Sequence, residues 1–224
     1  MPVFRLGRKP IFPDPRLAEP DGLLAFGGDL SVQRLLEAYR HGIFPWYEAG
    51  GPILWWAPDP RLVLFPEELR VSARLLRTIR QGRFKTQLDT AFAQVIAACA
   101  ATPRVHEEGT WITPEMQQAY LQLHHAGFAH SLESWQDGRL VGGIYGVAVG
   151  RCFCGESMFY HVTDASKVAL VALVQRLRDR GFTLLDCQIP SQHLIRFGAR
   201  TIPRAEFLQI LRAGLDQPAD LTGP

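Results

Sequence analysis

The segment 153–188, FCGESMFYHVTDASKVALVALVQRLRDRGFTLLDCQ, constrains this chain most. It reads as a strand, a polar loop carrying Glu156, Ser157 and Met158, a helix over about 165–180, and a short apolar strand ending in Asp186, Cys187 and Gln188. Two strands joined by a crossover helix run parallel in one sheet, with a right-handed connection. Ligands tend to bind beyond the carboxyl ends of such strands. The chemistry is therefore expected where Asp186 and Gln188 fall.

With 224 residues the chain is long enough to bury a sizeable core, and 47% apolar with 21% charged residues is the balance of an ordinary globular protein. A net charge of +2 says little, so the distribution of charge has to carry any electrostatic argument. Cys99, Cys152, Cys154 and Cys187 lack the density of a secreted disulfide scaffold and the spacing of a zinc site. A reduced, cytoplasmic protein without a metal is the expectation. The N-terminus MPVFRLGRKPIFPDP has no apolar core of a signal peptide, and no window approaches eighteen uninterrupted apolar residues, so neither export nor a membrane span is expected.

Proline and aromatic residues dominate the start. A helix is expected from Ser31 as N-cap to a stop at Gly42, within turn chemistry and short strands. Trp46, Trp55 and Trp56 crowd into one stretch, either as the core of a small Pro/Trp-rich domain or as a stacking surface. Pro58, Pro60 and Pro66 mark a junction, giving a small N-terminal unit over 1–64 and a larger one over 65–224. After it, Asp89 is expected to cap a helix through Phe92 and Cys99, and Thr113-Pro114 to open another that Gly127 stops. A hairpin follows, turning at Asp137-Gly138, whose second strand carries Gly142, Gly143 and Gly146. Such glycines mark a bulge or a close approach, with a ligand backbone one candidate.

Arg74, Arg77 and Arg80 recur every three residues and so lie together on one helical face, continued by Arg83 and Lys85 without an acidic residue among them. Solvated faces normally mix signs; a single-signed stripe points to a phosphate backbone.

Antiparallel strands, a loop, a helix and a further strand resemble the GNAT-type acetyltransferase architecture, which makes an acyl-CoA enzyme one function to weigh. Its pyrophosphate loop is missing: the nearest match, Arg139-Leu-Val-Gly142-Gly143-Ile144, lies inside a strand and ends on isoleucine. Eight motifs in order, GLLAFGGDLS at 22–31, GIFPW at 42–46, ILWWAPDPR at 53–61, EEGTWIT at 107–113, LVGGIYGV at 140–147, CGESMF at 154–159, ASKVAL at 165–170 and LLDCQ at 184–188, resemble the bacterial leucyl/phenylalanyl-tRNA–protein transferases. The resemblance implies an α/β (α+β) chain: a GNAT-like C-terminal domain with a mixed central sheet and flanking helices, without coenzyme A, beside the small N-terminal domain. It implies no cofactor. It also implies transfer of leucine or phenylalanine, with methionine a third candidate, from aminoacyl-tRNA to an N-terminal arginine or lysine, marking that protein for degradation.

On this reading the Gln188 carbonyl orients the attacking amine and Asp186 supplies negative charge behind it, since strand alternation turns both the same way and Cys187 the other. Glu156 either meets the acceptor's cationic side chain or forms an ordinary salt bridge. Ile144, Phe153, Met158, Leu170, Leu173 and Leu185 are the donor pocket or plain core. Trp46, Trp111, Tyr120 and Tyr39 are candidates for the terminal adenosine, with Ser191 where relatives often have asparagine. The arginine stripe would grip the acceptor stem. Two other readings stay open: a Cys187–His193 nucleophile pair, and an RNA-binding protein without catalysis.

Overall fold

A computed structural model describes residues 3–102, 110–217 and 219–223. The strands are β1 (Phe4–Leu6), β2 (Leu23–Gly27), β3 (Phe44–Pro45), β4 (Leu54–Trp56), β5 (Arg61–Leu64), β6 (Lys85–Leu88), β7 (Ala129–Gln136), β8 (Arg139–Val149), β9 (Cys152–Tyr160), β10 (Leu184–Gln188) and β11 (Arg200–Ile202). The helices are α1 (Val32–Arg40), α2 (Ala73–Arg80), α3 (Phe92–Ala101), α4 (Pro114–His125), α5 (Ala165–Asp179), α6 (Gln192–Ile195) and α7 (Arg204–Leu215). The mixed α/β class is as the sequence implies.

β9 and β10 pair in parallel, Leu185 opposite Phe153 and Asp186 opposite Cys154, with α5 as the crossover. They sit inside a seven-stranded mixed sheet ordered β11-β5-β10-β9-β8-β7-β6; a four-stranded sheet ordered β1-β2-β4-β3 forms separately. β5 falls before the sequence division at 64, yet it hydrogen-bonds between β10 and β11 in the larger sheet. The core is continuous from Leu24, Trp55 and Tyr39 of the smaller layer to Tyr120, Tyr145 and Phe207 of the larger.

α5 is apolar almost all round, with Val168, Leu170, Val171, Leu173, Val174 and Leu177 buried, because it is covered by the sheet on one side and by neighbouring elements on the other. Each such side chain contributes roughly 1.5–3 kcal/mol on leaving water. Its seat explains Gly142 of β8, where a Cβ would lie 2.6 Å from the Ala165 Cβ; Gly146 is required by β9 instead, since a Cβ there would lie 2.2 Å from the Cys154 carbonyl oxygen. The close approach is the protein's own chain, where the sequence had a ligand backbone as one candidate.

Ser31 caps α1 through a hydrogen bond from the Arg34 amide, Thr113 caps α4 from Met116, and Asp137-Gly138 turn the β7–β8 hairpin with φ of +50° and +73°. Asp89 differs from expectation. It adopts φ +57°, and its carboxylate accepts the Ser131 amide and binds His130 Nδ1 at 2.7 Å, leaving the α3 N-terminus without a side-chain cap. The first residues of the EEGTWIT motif, 107–109, lie outside the described residues.

Candidate active site

Residues 156–158, expected in a loop, belong to β9 itself. The strand is irregular there: Tyr145 faces Ser157 and Gly146 faces Gly155, so Glu156 is an extra residue without a partner on β8. A bulge of this kind re-aims one side chain. Glu156 is turned onto two phenols from different helices, Tyr39 of α1 donating to Oε1 at 2.8 Å and Tyr120 of α4 to Oε2 at 2.9 Å. The two hydroxyls also hydrogen-bond to each other. Burial pushes the Glu156 carboxyl up to about 7, against the three donors that favour its charge, and the Asp186 charge pushes the same way.

β10 ends on a second irregularity. Asp186 is opposite Val63 and Gln188 opposite Leu62, so two steps on β10 match one on β5. Gln188 takes φ +64°, a left-handed conformation that costs a non-glycine residue about 1–2 kcal/mol. The Asp186 Oδ1 accepts the Gln188 amide at 2.9 Å and holds the turn. The Gln188 side chain donates Nε2–H to Glu156 Oε1 at 2.8 Å, which fixes the amide and leaves its carbonyl oxygen without a hydrogen bond among the described residues. Strand alternation alone does not set the direction of Gln188, as the sequence reading assumed.

Asp186 is fully buried and its charge is already matched. Arg61 of β5 meets it with two hydrogen bonds, Nε to Oδ1 at 2.8 Å and Nη2 to Oδ2 at 2.7 Å. The guanidinium lies between the rings of Phe44 and Phe207, at 4.9 and 4.7 Å from their centroids. Asp186 therefore offers no free charge behind Gln188; its oxygens are taken by Arg61 and by the Gln188 backbone.

Glu156, Asp186 and Gln188 line a cavity of about 460 Å³. Ile144, Met158, Leu170 and Leu185 form part of its wall, and Trp46, Trp111 and Ser191 lie on it as well. Phe153 and Leu173 are buried core beneath this wall and do not line the cavity. Tyr39 and Tyr120 are 1% and 0% exposed, so they serve Glu156 with their hydroxyls and present no ring face for a base to stack on. Trp55 is also core, its indole N–H donating to the Gly27 carbonyl.

Sequence reasoning missed Arg61 and Phe44, the second of them on the cavity wall; His193, weighed only as a partner of Cys187, is on that wall too. A signal for Arg61 was present: a lone cation heading the apolar run RLVLF has to be buried against a carboxylate. The Cys187 thiol is pushed up by burial and by the Asp186 charge, and it contacts the Leu185 carbonyl, which disfavours a thiolate nucleophile. Among the described residues no group of three His, Cys, Asp or Glu side chains is arranged to hold a metal. Arg74, Arg77, Arg80, Arg83 and Lys85 are all exposed along α2 and the start of β6, and none of them makes an ion pair among the described residues. No helix of the described residues is long and apolar enough to cross a membrane.

Residues 63–212 match the family model described as leucyl/phenylalanyl-tRNA protein transferase, and residues 28–59 match the model of its N-terminal domain. A leucyl/phenylalanyl-tRNA–protein transferase of Anaeromyxobacter sp. (strain K) is 58% identical over 218 residues, covering 97% of this chain and 94% of that one. One from Azotobacter vinelandii is 60% identical over 203 residues, covering 91% and 89%. A solved GCN5-related N-acetyltransferase from Kribbella flavida, at 12% identity and a TM-score of 0.37 over 73% of this chain and 58% of that one, is too remote to carry an argument. The chain belongs to the leucyl/phenylalanyl-tRNA–protein transferase family.

Proposed function

We propose that this protein transfers leucine or phenylalanine, with methionine a third donor, from aminoacyl-tRNA to the N-terminal arginine or lysine of acceptor proteins, marking them for degradation. The observation that carries the reading is the Gln188 amide. Its N–H₂ end is held by Glu156 and its carbonyl end is free, on the wall of an apolar cavity.

The donor is an ester, already activated, and the acceptor α-amine has a reference pKa of about 7.7–8.0, so a neutral fraction exists at cellular pH. Acceleration then comes from holding amine and ester together. The Gln188 carbonyl accepts an amine N–H and aims the nitrogen lone pair at the ester carbonyl. The new C–N bond forms as the C–O bond to the ribose breaks, and the amine's proton is lost as the ribose oxygen gains one. Asp186 acts through the Gln188 backbone rather than on the substrate. Ile144, Met158, Leu170 and Leu185 receive the donor side chain, an aliphatic, methionine-containing wall that suits leucine and phenylalanine alike. Trp46, Trp111 and Ser191 are the groups offered to the terminal adenosine.

Glu156 receives the cationic side chain of the acceptor. Arg74, Arg77, Arg80, Arg83 and Lys85 take phosphates of the acceptor stem, a contact blind to sequence and so suited to several donor tRNAs. The N-terminal unit, 1–64, lends Tyr39, Phe44, Pro45, Trp46 and Arg61 to a site whose other residues come from 65–224. Four free cysteines fit a reducing cytoplasm.

The test is mass spectrometry of an arginine-initiated peptide incubated with protein and leucyl-tRNA, beside tubes with a methionine-initiated peptide and with acetyl-CoA. A leucine-sized gain on the arginine peptide alone is expected. A gain only with acetyl-CoA, or tRNA binding with no gain anywhere, would refute the reading.

A further inference from the structure

Glu156, Tyr39 and Tyr120 form a closed triangle of three hydrogen bonds: Tyr39 to Oε1, Tyr120 to Oε2, and phenol to phenol. Each edge needs one hydrogen. Both phenols keep theirs, because burial and the neighbouring Glu156 push their ionisation well above the ordinary tyrosine range. Two phenols beside an ionised carboxylate therefore supply two hydrogens for three edges. A protonated Glu156 supplies the third. In that state Oε2–H donates to Tyr120, Tyr120 donates to Tyr39, and Tyr39 donates back to Oε1, which also accepts from Gln188.

The surroundings favour the same state. From α1 and α4 come only the two phenols; from β10 come the neutral Gln188 and the Asp186 carboxylate; from β9 itself comes the buried Cys154 thiol. The nearby cation, Arg61, is committed to Asp186. No lysine or arginine pairs with Glu156 among the described residues. Burial lifts the carboxyl accordingly.

We infer that Glu156 carries a proton in the unliganded protein, as the third hydrogen of this ring, and releases it to solvent when the acceptor's cationic side chain arrives. The O–H bond of the acid breaks, the proton goes to buffer, and the carboxylate pairs with the guanidinium or ammonium, keeping its Tyr39 and Gln188 donors while the Tyr120 hydroxyl turns from acceptor to donor. The inference rests on Glu156 being the acceptor's cation site. It makes Tyr39 and Tyr120 specificity-determining: a neutral side chain gains nothing by expelling the proton, whereas a cation gains an ion pair in a poorly solvated place.

Two measurements test it separately. The carboxyl carbon of Glu156, assigned in ¹³C-glutamate-labelled protein by its loss in Glu156→Gln, is expected to titrate near neutral pH. A signal already ionised at about pH 5, like an ordinary glutamate, would overturn the inference. Calorimetry with Nα-acetyl-argininamide, which has a guanidinium but no titrating amine, in two buffers of different ionisation heat, is expected to find about one proton released per ligand below the midpoint, with affinity falling about tenfold per pH unit there. Binding with no proton release would overturn the coupling and leave the acceptor-site reading intact. Failure of the ligand to bind at any pH would overturn both.

Discussion

Replacing Asp186 by asparagine removes one charge and little else, since the side-chain amide keeps an oxygen that can accept the Gln188 backbone N–H. What remains is Arg61, 2% exposed and without its counter-ion. Breaking a buried pair by neutralising one partner costs about 3–5 kcal/mol, because the other charge stays desolvated. For a chain of this size each kcal/mol moves Tm by about 2–4 °C, so Asp186→Asn is expected to melt roughly 10 °C lower. Its activity falls too, because the turn that holds Gln188 at φ +64° loosens. The double variant Arg61→Gln/Asp186→Asn leaves neither charge of this pair buried. It is expected to regain much of the lost Tm and a large part of kcat/KM, with a coupling of about 3 kcal/mol between the two sites. The assay is thermal unfolding beside kcat/KM for leucyl-tRNA and an arginine peptide. A base that takes a proton in the transition state contributes about 10²–10⁴-fold, and a double variant lacks such a base as fully as the single one does. If the double variant melts like wild type yet is as inactive as Asp186→Asn, Asp186 acts on the substrate and the positioning argument is refuted.

Stability should fall as pH rises through the window between the ordinary glutamate value of 4.5 and the Glu156 value of about 7, because only the folded state still holds the proton there. The full effect, about 3 kcal/mol above that window, should be absent from the pH profile of Tm in Glu156→Gln. Neutralising Arg77 and Arg80 together is expected to weaken every donor tRNA alike and to reduce the salt slope by about 1–2 in a log–log binding plot; loss for a single tRNA would contradict phosphate-backbone contact. Gly146→Ala must push a Cβ into a backbone carbonyl 2.2 Å away, and a cost of about 3 kcal/mol in urea unfolding is expected. Cys187→Ser should leave kcat nearly unchanged in the peptide assay, since burial and the Asp186 charge disfavour the thiolate that a nucleophile would need.

Much of the fold was legible because it rests on local signals. Ser31, Thr113 and Gly127 mark helix ends by capping chemistry, and the crossover from β9 through α5 to β10 follows from the run of apolar residues and its length. The site was legible as a set of residues but not as an arrangement. Tyr39 and Tyr120 are 81 positions apart and meet through packing of α1 near α4, for which no spacing rule exists. Apolar wall and apolar core are chemically alike, so Leu170 on the cavity and Leu173 beneath it could not be told apart without coordinates. Arg61 was hidden because a pair formed across β5 and β10 spans 125 residues.

The two groups that meet in the cavity, Glu156 and Gln188, are both products of strand irregularity, and this explains why alternation misjudged them. A regular β9 would put Glu156 in register with β8, and a regular β10 would carry Gln188 on with the pleat. Slipping the register once on each strand gives up ladder hydrogen bonds and imposes an unfavourable φ, and the fold must over-determine the result for it to persist. It does so with two charge-assisted bonds, the Asp186 carboxylate on the Gln188 amide and Arg61 on that carboxylate, and with the Gln188 side chain held on Glu156. The chain of contacts from Phe207 and Phe44 through Arg61 to Gln188 is thus the counterweight to local strain. A change at Arg61, which does not line the cavity, should therefore be felt first in the orientation of the Gln188 carbonyl.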